Sequence, residues 1–285
     1  MVMLTQPKRH TASDRTVRRR PRRSARRLTG TAGFGLGLAM TWFSLLVLIP
    51  LAAVVVKAAG GGWSTFYDVL TDPGTLATLR FTLLTAVAVT LVNAFMGTLI
   101  AWILVRDSFP GKALMDLIID IPFAMPTIVA GLVLLALYGH DGPLGIDVSG
   151  TKLGVVLAIA FVTLPFVVRA VQPVLETLDT DAEEAAASLG ASRMATLRRV
   201  VIPSLLPAIT AGASLSFARA ISEYGSVVLI SMNARGVDVM STQTYRYIEG
   251  GDTAAAAAIA VILLAIALMT IIALDILQTR AARRG

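Results

Sequence analysis

Residues 180–207 read TDAEEAAASLGASRMATLRRVVIPSLLP, too long for a turn and too patterned for a disordered loop. The stretch opens on Thr180 with Glu183 three residues on, the spacing of a capping box. Asp181 and Glu183 also put negative charge where a helix N-terminus favours it. Ala185, Ala186 and Ala187 are strong helix formers. Gly190 then interrupts, Arg198 and Arg199 lie near a helix end, and Pro203 with Pro207 are expected to enforce a stop. Two short, mostly polar helices result. Long apolar runs flank them, 153–168 before and 207–232 after. Polar helices joining two such runs are expected to lie under a membrane, and the chain reads as an all-α integral membrane protein.

Working outward, six apolar segments are long enough to cross about 30 Å of hydrocarbon as helices: 34–56, 79–105, 117–138, 153–168, 207–232 and 254–277. The fourth is the shortest and is expected to continue to Val171 or beyond, carrying Arg169 at the interface. Of the 285 residues, 55% are hydrophobic and only 15% charged, and mean hydropathy is +0.74. A soluble domain carries about 25% charged residues. The run 34–56 exceeds the apolar core of a signal peptide, so it is expected to be a retained first span. The alanine run 254–258 suits a close-packing helix face.

Charge gives the orientation. The net charge is +7, and ten of the 25 Lys and Arg residues precede position 30. A basic tail directly before a span fixes topology and adds affinity for anionic lipid; nothing in its placement suits nucleic acid. With the N-terminus inside, cytoplasmic segments hold nineteen Lys and Arg against five outside. Both termini are therefore expected in the cytoplasm. The layout becomes a basic tail 1–33, a six-helix domain 34–278 with a cytoplasmic loop at about 170–206, and a tail 279–285.

Several chemistries are excluded. There is no cysteine, and His10 and His140 are the only histidines, so neither thiolate nor histidine-cluster metal sites can form. Gly111-Lys112 lacks the phosphate-loop glycine, because position 106 is Arg. Gly212-Ala213-Ser214-Leu215-Ser216 is not a nucleophile elbow, and no histidine in a span is available to activate a serine. No catalytic residue is assigned.

Glu184-Ala185-Ala186, three residues, Gly190, nine residues, then Val200-Val201-Ile202-Pro203 resembles the EAA loop of binding-protein-dependent ABC importer permeases. Val200 and Ile202 stand conservatively for Ile and Leu of that pattern. The resemblance extends over nearly all of 45–277 and is to the T-type subunit family of sulfate/thiosulfate permeases. Ile121-Pro122-Phe123-Ala124-Met125-Pro126-Thr127, Leu164-Pro165-Phe166-Val167-Val168-Arg169, Gln172-Pro173-Val174-Leu175-Glu176 and the block 215–225 carry it. That last block, which includes Arg219 and Ser222-Glu223-Tyr224-Gly225, is shared with molybdate permeases, usually as G-E-F-G. Ser222 and Tyr224 depart from that form, and molybdate or tungstate is the alternative substrate.

The resemblance implies a type I ABC importer permease fold in a bacterial inner membrane. It implies a paralogous permease, an ABC ATPase subunit and an extracytoplasmic sulfate-binding protein as partners. ATP and Mg would be bound by the ATPase, with no cofactor in this chain. Glu184, Ala185, Ala186, Gly190 and Pro203 would form the coupling site, drawn together when the ATPase dimer closes. Span one would wrap against the partner permease.

Within the membrane, Arg219 and Glu223 are four apart and share a helix face. They form either a mutual ion pair or a tie to the partner, or Arg219 lends positive potential to an anion's path. Pro122 and Pro126 are expected to kink or break span three, lining a pathway or merely packing. Asp120 suits an interfacial cap or a functional group equally, and Arg169 and Glu176 suit interface anchors connecting to the EAA region. His140 and Asp141 fall in an outside loop. An autonomous channel or ion-coupled transporter would not need the long 170–206 segment, and no inverted repeat is evident. A membrane scaffold would tolerate changes at Glu184 and Gly190.

Overall fold

The computed structural model describes residues 30–178, 180–232, 234 and 236–282. The orienting basic tail, 1–29, and the last three residues lie outside the described residues. The chain divides into two units, 1–50 and 51–285. The first unit holds α1 (Gly30–Phe43) and a π-helical turn, Ser44–Leu48. The division falls inside α2 (Ile49–Gly60), and the second unit goes on with α3 (Gly62–Thr71), α4 (Pro73–Arg106), α5 (Lys112–Ala124), α6 (Thr127–Tyr138) and α7 (Lys152–Thr177). It continues with α8 (Thr180–Ser188), α9 (Arg193–Thr196), α10 (Ile202–Ile221), α11 (Gly225–Ile230), α12 (Met240–Glu249) and α13 (Thr253–Ala282).

Among the described residues five helical stretches are long and apolar enough to cross a membrane: Ala32–Gly60, Pro73–Arg106, Lys152–Thr177, Arg193–Ile221 and Thr253–Ala273. The pair α5 and α6 meets the same test together but is bent by 119°, which is the geometry of a broken span or of a re-entrant loop. Three expectations are refined. The break expected in segment 117–138 is present, at one of its two prolines. Met125 precedes a proline, takes extended backbone at φ −99° and ψ 146°, and ends α5. Pro126 then sits just before α6. Pro122, by contrast, stays inside α5 without ending it.

The second correction concerns Pro203 and Pro207, which do not stop a helix. Helix runs unbroken from Arg193 to Ile221, so the second short helix and the apolar segment after it are one rod. A π-helical turn at Leu197–Val201 shifts the register just before Pro203, and the Ile202 N–H donates to Leu197 O. Ser204 Oγ donates to Val200 O at 2.7 Å, so a hydroxyl serves a carbonyl beside the proline. Third, the segment 207–232 is not one span: helix ends at Ile221, and α11 is a separate short helix.

α7 is the centre of the second unit. It runs past Val168 to Thr177 and carries Pro165 and Pro173 inside it. Its neighbours approach closely through glycines. A Cβ on Gly97 of α4 would lie 2.8 Å from Val167 Cβ, and one on Gly212 of α10 would lie 2.8 Å from Val167 Cα. Asn93, inside the apolar run of α4, donates to Ala160 O at 3.0 Å and Thr163 Oγ1 at 2.9 Å. A polar side chain at membrane depth is thereby satisfied, and α4 is fixed in register on α7. Ala255 to Ala258 of α13 are buried, as a close-packing alanine face requires.

Candidate functional site

α8 ends on a left-handed turn. Gly190 has φ +80°, its N–H donates to Ala187 O at 2.9 Å, and the Ala191 N–H reaches Ala186 O at 3.0 Å. This pair of bonds is the Schellman closure, and it turns the chain toward α9. Ser192 caps α9, accepting from the Ala195 N–H at 3.3 Å. The capping box expected at the opening of α8 rests on the side chain of Thr180, which lies outside the described residues. Glu183 pairs with Arg106, with Oε1 2.5 Å from Nη2. Arg106 ends α4 and stacks over the Trp102 ring at 5.5 Å. One ion pair thus ties the polar hairpin to the second span.

Glu184, Ala185 and Gly190 are exposed, and Ala186 is half-buried. Beside them Leu189 is 89% exposed and Met194 is also exposed. Two large apolar side chains thus stand out of a mostly polar hairpin. Pro203 is exposed but lies on the rod beyond the π turn, away from the Gly190 turn in sequence and register.

The second constellation lies where two helices break. Arg219 and Glu223 pair, with Nη2 2.8 Å from Oε2. Glu223 is fully buried, and its Oε1 accepts from the Ser226 N–H at 2.9 Å and the Ser226 hydroxyl at 2.8 Å. The carboxylate therefore closes the gap between α10 and α11, while Ser241 Oγ of α12 donates to the Glu223 carbonyl. Arg219 keeps 31% of its side chain exposed. Gly225 meets the other break: a Cβ there would fall 2.2 Å from Thr127 Oγ1 and 2.7 Å from the Ile128 nitrogen. Pro126 is thus brought close to the Glu223 turn through its neighbour Thr127, whereas Pro122 belongs to α5. Broken helices at membrane depth occur where backbone is buried in protein or lines a wet cavity.

A third cluster joins residues that the sequence left apart. Asp120 is not a helix cap but lies inside α5, and its partner is Arg169. Arg169 Nε and Nη2 donate to the two carboxylate oxygens of Asp120 at 2.7 and 2.6 Å. Nη1 donates to Asp116 Oδ1 at 2.9 Å and Gln172 Oε1 at 2.6 Å, and Nη2 also reaches Asp116 O at 3.0 Å. Glu176 accepts from Gln172 at 3.3 Å. In the outer loop His140 is highly exposed, 3.6 Å from Asp147. Hydrogen bonds from the Ser149 hydroxyl and backbone hold the Asp147 carboxyl below its ordinary value.

Residues 93–284 match the family described as Binding-protein-dependent transport system inner membrane component. The chain belongs to that family. This permease is 41% identical over 269 residues to the Sulfate transport system permease protein CysT of Salmonella typhimurium, covering 92% of this chain and 97% of that one. The same identity and coverage hold for the CysT protein of Escherichia coli. The CysT protein of Synechocystis is 43% identical over 242 residues, covering 82% of this chain and 85% of that one. Among solved structures, the bacterial alginate ABC transporter in complex with alginate pentasaccharide-bound periplasmic protein matches with a TM-score of 0.75 at 15% identity. That match covers 88% of the permease and 94% of the solved chain. The inward-facing MetNI methionine ABC transporter matches with a TM-score of 0.56 at 17% identity, covering 74% and 99%. At these identities the likeness is of fold alone: the permease has the fold of ABC importer membrane subunits. It is a multi-pass transport subunit, not an enzyme.

Sequence reading gave no role to Arg106, Asn93 or Asp116. Signals existed for two of them. Asn93 interrupts an apolar run, and Asp116 stands four residues before Asp120 on one helix face of an apolar segment. Arg106 entered only the charge tally; its partner Glu183 is 77 residues away.

Proposed function

We propose that this permease is the T-type membrane subunit of an importer that carries sulfate, with thiosulfate as a related substrate, across a bacterial plasma membrane. The observation that carries the substrate is the 41% identity with enterobacterial sulfate permeases over 92% of the chain. A relationship of that length takes in the pathway helices as well as the coupling hairpin. Both termini are cytoplasmic, as the nineteen-to-five distribution of Lys and Arg supports. The α8–α9 hairpin, with Glu184, Ala185, Ala186 and Gly190, docks an ABC ATPase subunit that binds ATP and Mg. Its two exposed apolar side chains and its tie to α4 through Arg106 support that role. A paralogous permease completes the pathway and an extracytoplasmic binding protein delivers the anion.

Arg219 lines the pathway. Glu223 fixes the guanidinium from one side and leaves the rest of it exposed beside two broken helices. A guanidinium presents paired donors to a tetrahedral oxyanion, and its partial neutralisation favours passage over retention.

The deciding experiment is uptake of radiolabelled sulfate by a transport-deficient bacterium expressing the chain with its cognate partners. Molybdate and thiosulfate serve as competitors, and a Glu184→Ala/Gly190→Pro double variant as control. ATP-dependent uptake blocked by thiosulfate, spared by molybdate and lost in the double variant is the expected result. Absence of sulfate uptake in a verified complex overturns the substrate; molybdate-blocked uptake moves it to that anion.

A further inference from the structure

We propose that Arg169 is a second oxyanion station, in the inner half of the pathway, and that the Asp120 carboxylate rests on it as a resident anion which the travelling sulfate displaces. This rests on sulfate being the substrate. Arg169 lies eight residues from the Thr177 end of α7, and Asp120 lies eight residues from the Lys112 start of α5. At 1.5 Å per residue both are roughly 12 Å along their helices from the cytoplasmic ends, inside the inner leaflet. At that depth the side chains are still 28% exposed for Arg169, 41% for Asp116 and 47% for Asp120. Charges so placed face a protein interior or a wet cavity rather than hydrocarbon, and a wet cavity is what the station requires.

The geometry gives the ligand class. Asp120 occupies the Nε–Nη2 edge of the guanidinium with two parallel bonds of 2.7 and 2.6 Å. The same edge takes two oxygens of a sulfate, so the carboxylate is an internal substitute for the cargo. Asp116 and Gln172 occupy Nη1 and hold the fork in place during the exchange. Two carboxylates on one guanidinium leave the cluster net negative, so a captured dianion is held weakly and leaves readily toward the cytoplasm. The carboxylates and the guanidinium stand on different helices, which meet through Ile119 in one buried cluster. Asp116 and Asp120 ride on α5, which ends at the 119° break, while Arg169 belongs to the buried core helix α7. A swing of α5 at Met125–Pro126 withdraws Asp120 and leaves Arg169 in place.

The test uses the complete complex of permeases, ATPase and binding protein in proteoliposomes. The same complex in detergent without binding protein serves for equilibrium binding of radiolabelled sulfate. Asp120→Asn removes the competing charge and keeps the shape. It is expected to tighten sulfate binding about tenfold or more while slowing uptake, because release becomes limiting. Asp116→Asn, which touches only Nη1 and the backbone side, shifts binding in the same direction by less. Arg169→Lys keeps the charge but loses the fork, and is expected to lose the binding gained by Asp120→Asn when the two are combined. Unchanged sulfate affinity in Asp120→Asn, with uptake falling in step with melting temperature, makes the cluster a structural clamp or a contact with the second permease and refutes the station. An affinity gain that persists in the Arg169→Lys/Asp120→Asn complex also refutes it. Wild-type complex that moves no sulfate overturns the substrate reading and this inference together; wild-type uptake with an unmoved Asp120→Asn affinity overturns the inference alone.

Discussion

Replacing Gly190 separates two reasons for a glycine at the coupling turn. Its φ of +80° lies in the left-handed region, and no atom comes within 4 Å of a Cβ built on it. Within this chain the cost of a side chain is therefore conformational. An alanine there costs about 1–2 kcal/mol, which shifts the turn against its alternatives by roughly 5- to 30-fold. Asparagine tolerates the left-handed conformation and costs less. Valine, branched at Cβ, costs more. ATP-driven sulfate uptake in proteoliposomes, normalised to copurified ATPase subunit, should fall in the order Gly, Asn, Ala, Val. Membrane insertion should be unchanged in all four, because the hairpin is exposed. Uptake that tracks side-chain size rather than tolerance of positive φ, with Asn as damaging as Val, would refute the conformational argument and put a partner surface against Gly190. Full activity in Ala and Val alike would show that the turn is not needed for coupling.

Other perturbations read the remaining contacts. Arg106→Ala and Glu183→Ala should show a coupling energy of no more than about 1 kcal/mol in a double-mutant thermal cycle, since both groups are partly solvated; a coupling of zero would detach the hairpin from α4. Glu223→Gln should destabilise the purified complex by about 3 kcal/mol, because it uncouples a fully buried carboxylate from Arg219 and weakens the α11 cap; an unchanged melting curve would contradict that burial. Gly225→Ala drives a methyl to 2.2 Å from Thr127 Oγ1 and should cost about 1–3 kcal/mol, read as lost yield of folded permease. Normal yield and stability would mean that the two helix breaks do not touch.

The spans, the hairpin and the Gly190 turn were legible because they are local: apolar length, helix-forming alanines and a glycine at a helix end sit within a few turns of sequence. The break at Pro126 was legible for the same reason, since proline constrains the residue before it. Pro203 misled because a π-helical turn five residues long absorbs it, and that turn has no strong signature in Leu197–Val201. Arg169 misled because its partners are 49 and 53 residues away, on a helix whose path depends on the break between α5 and α6. An ion cluster made by tertiary packing leaves only its members in the sequence, not their meeting. Glu223 was half legible: its spacing from Arg219 gave the pair, while its role as a cap for α11 required knowing that the helix ends at Ile221.

The unbroken stretch Arg193–Ile221 makes the docking face and the Arg219 turn two ends of one lever. Its 29 residues span about 43 Å. A tilt of about 10° around its middle carries each end roughly 4 Å, in opposite directions. The cytoplasmic stroke and the movement beside Glu223 are then equal in size and simultaneous. Such a crank needs no relay of side chains between the membrane's inner face and its interior, and its gearing is set by where the fulcrum lies. Gly212, packed on Val167 of α7, stands nearer the Arg219 end than the Arg193 end. Pivoting there, the lever has a long arm toward Arg193 and a short, forceful one beside Arg219.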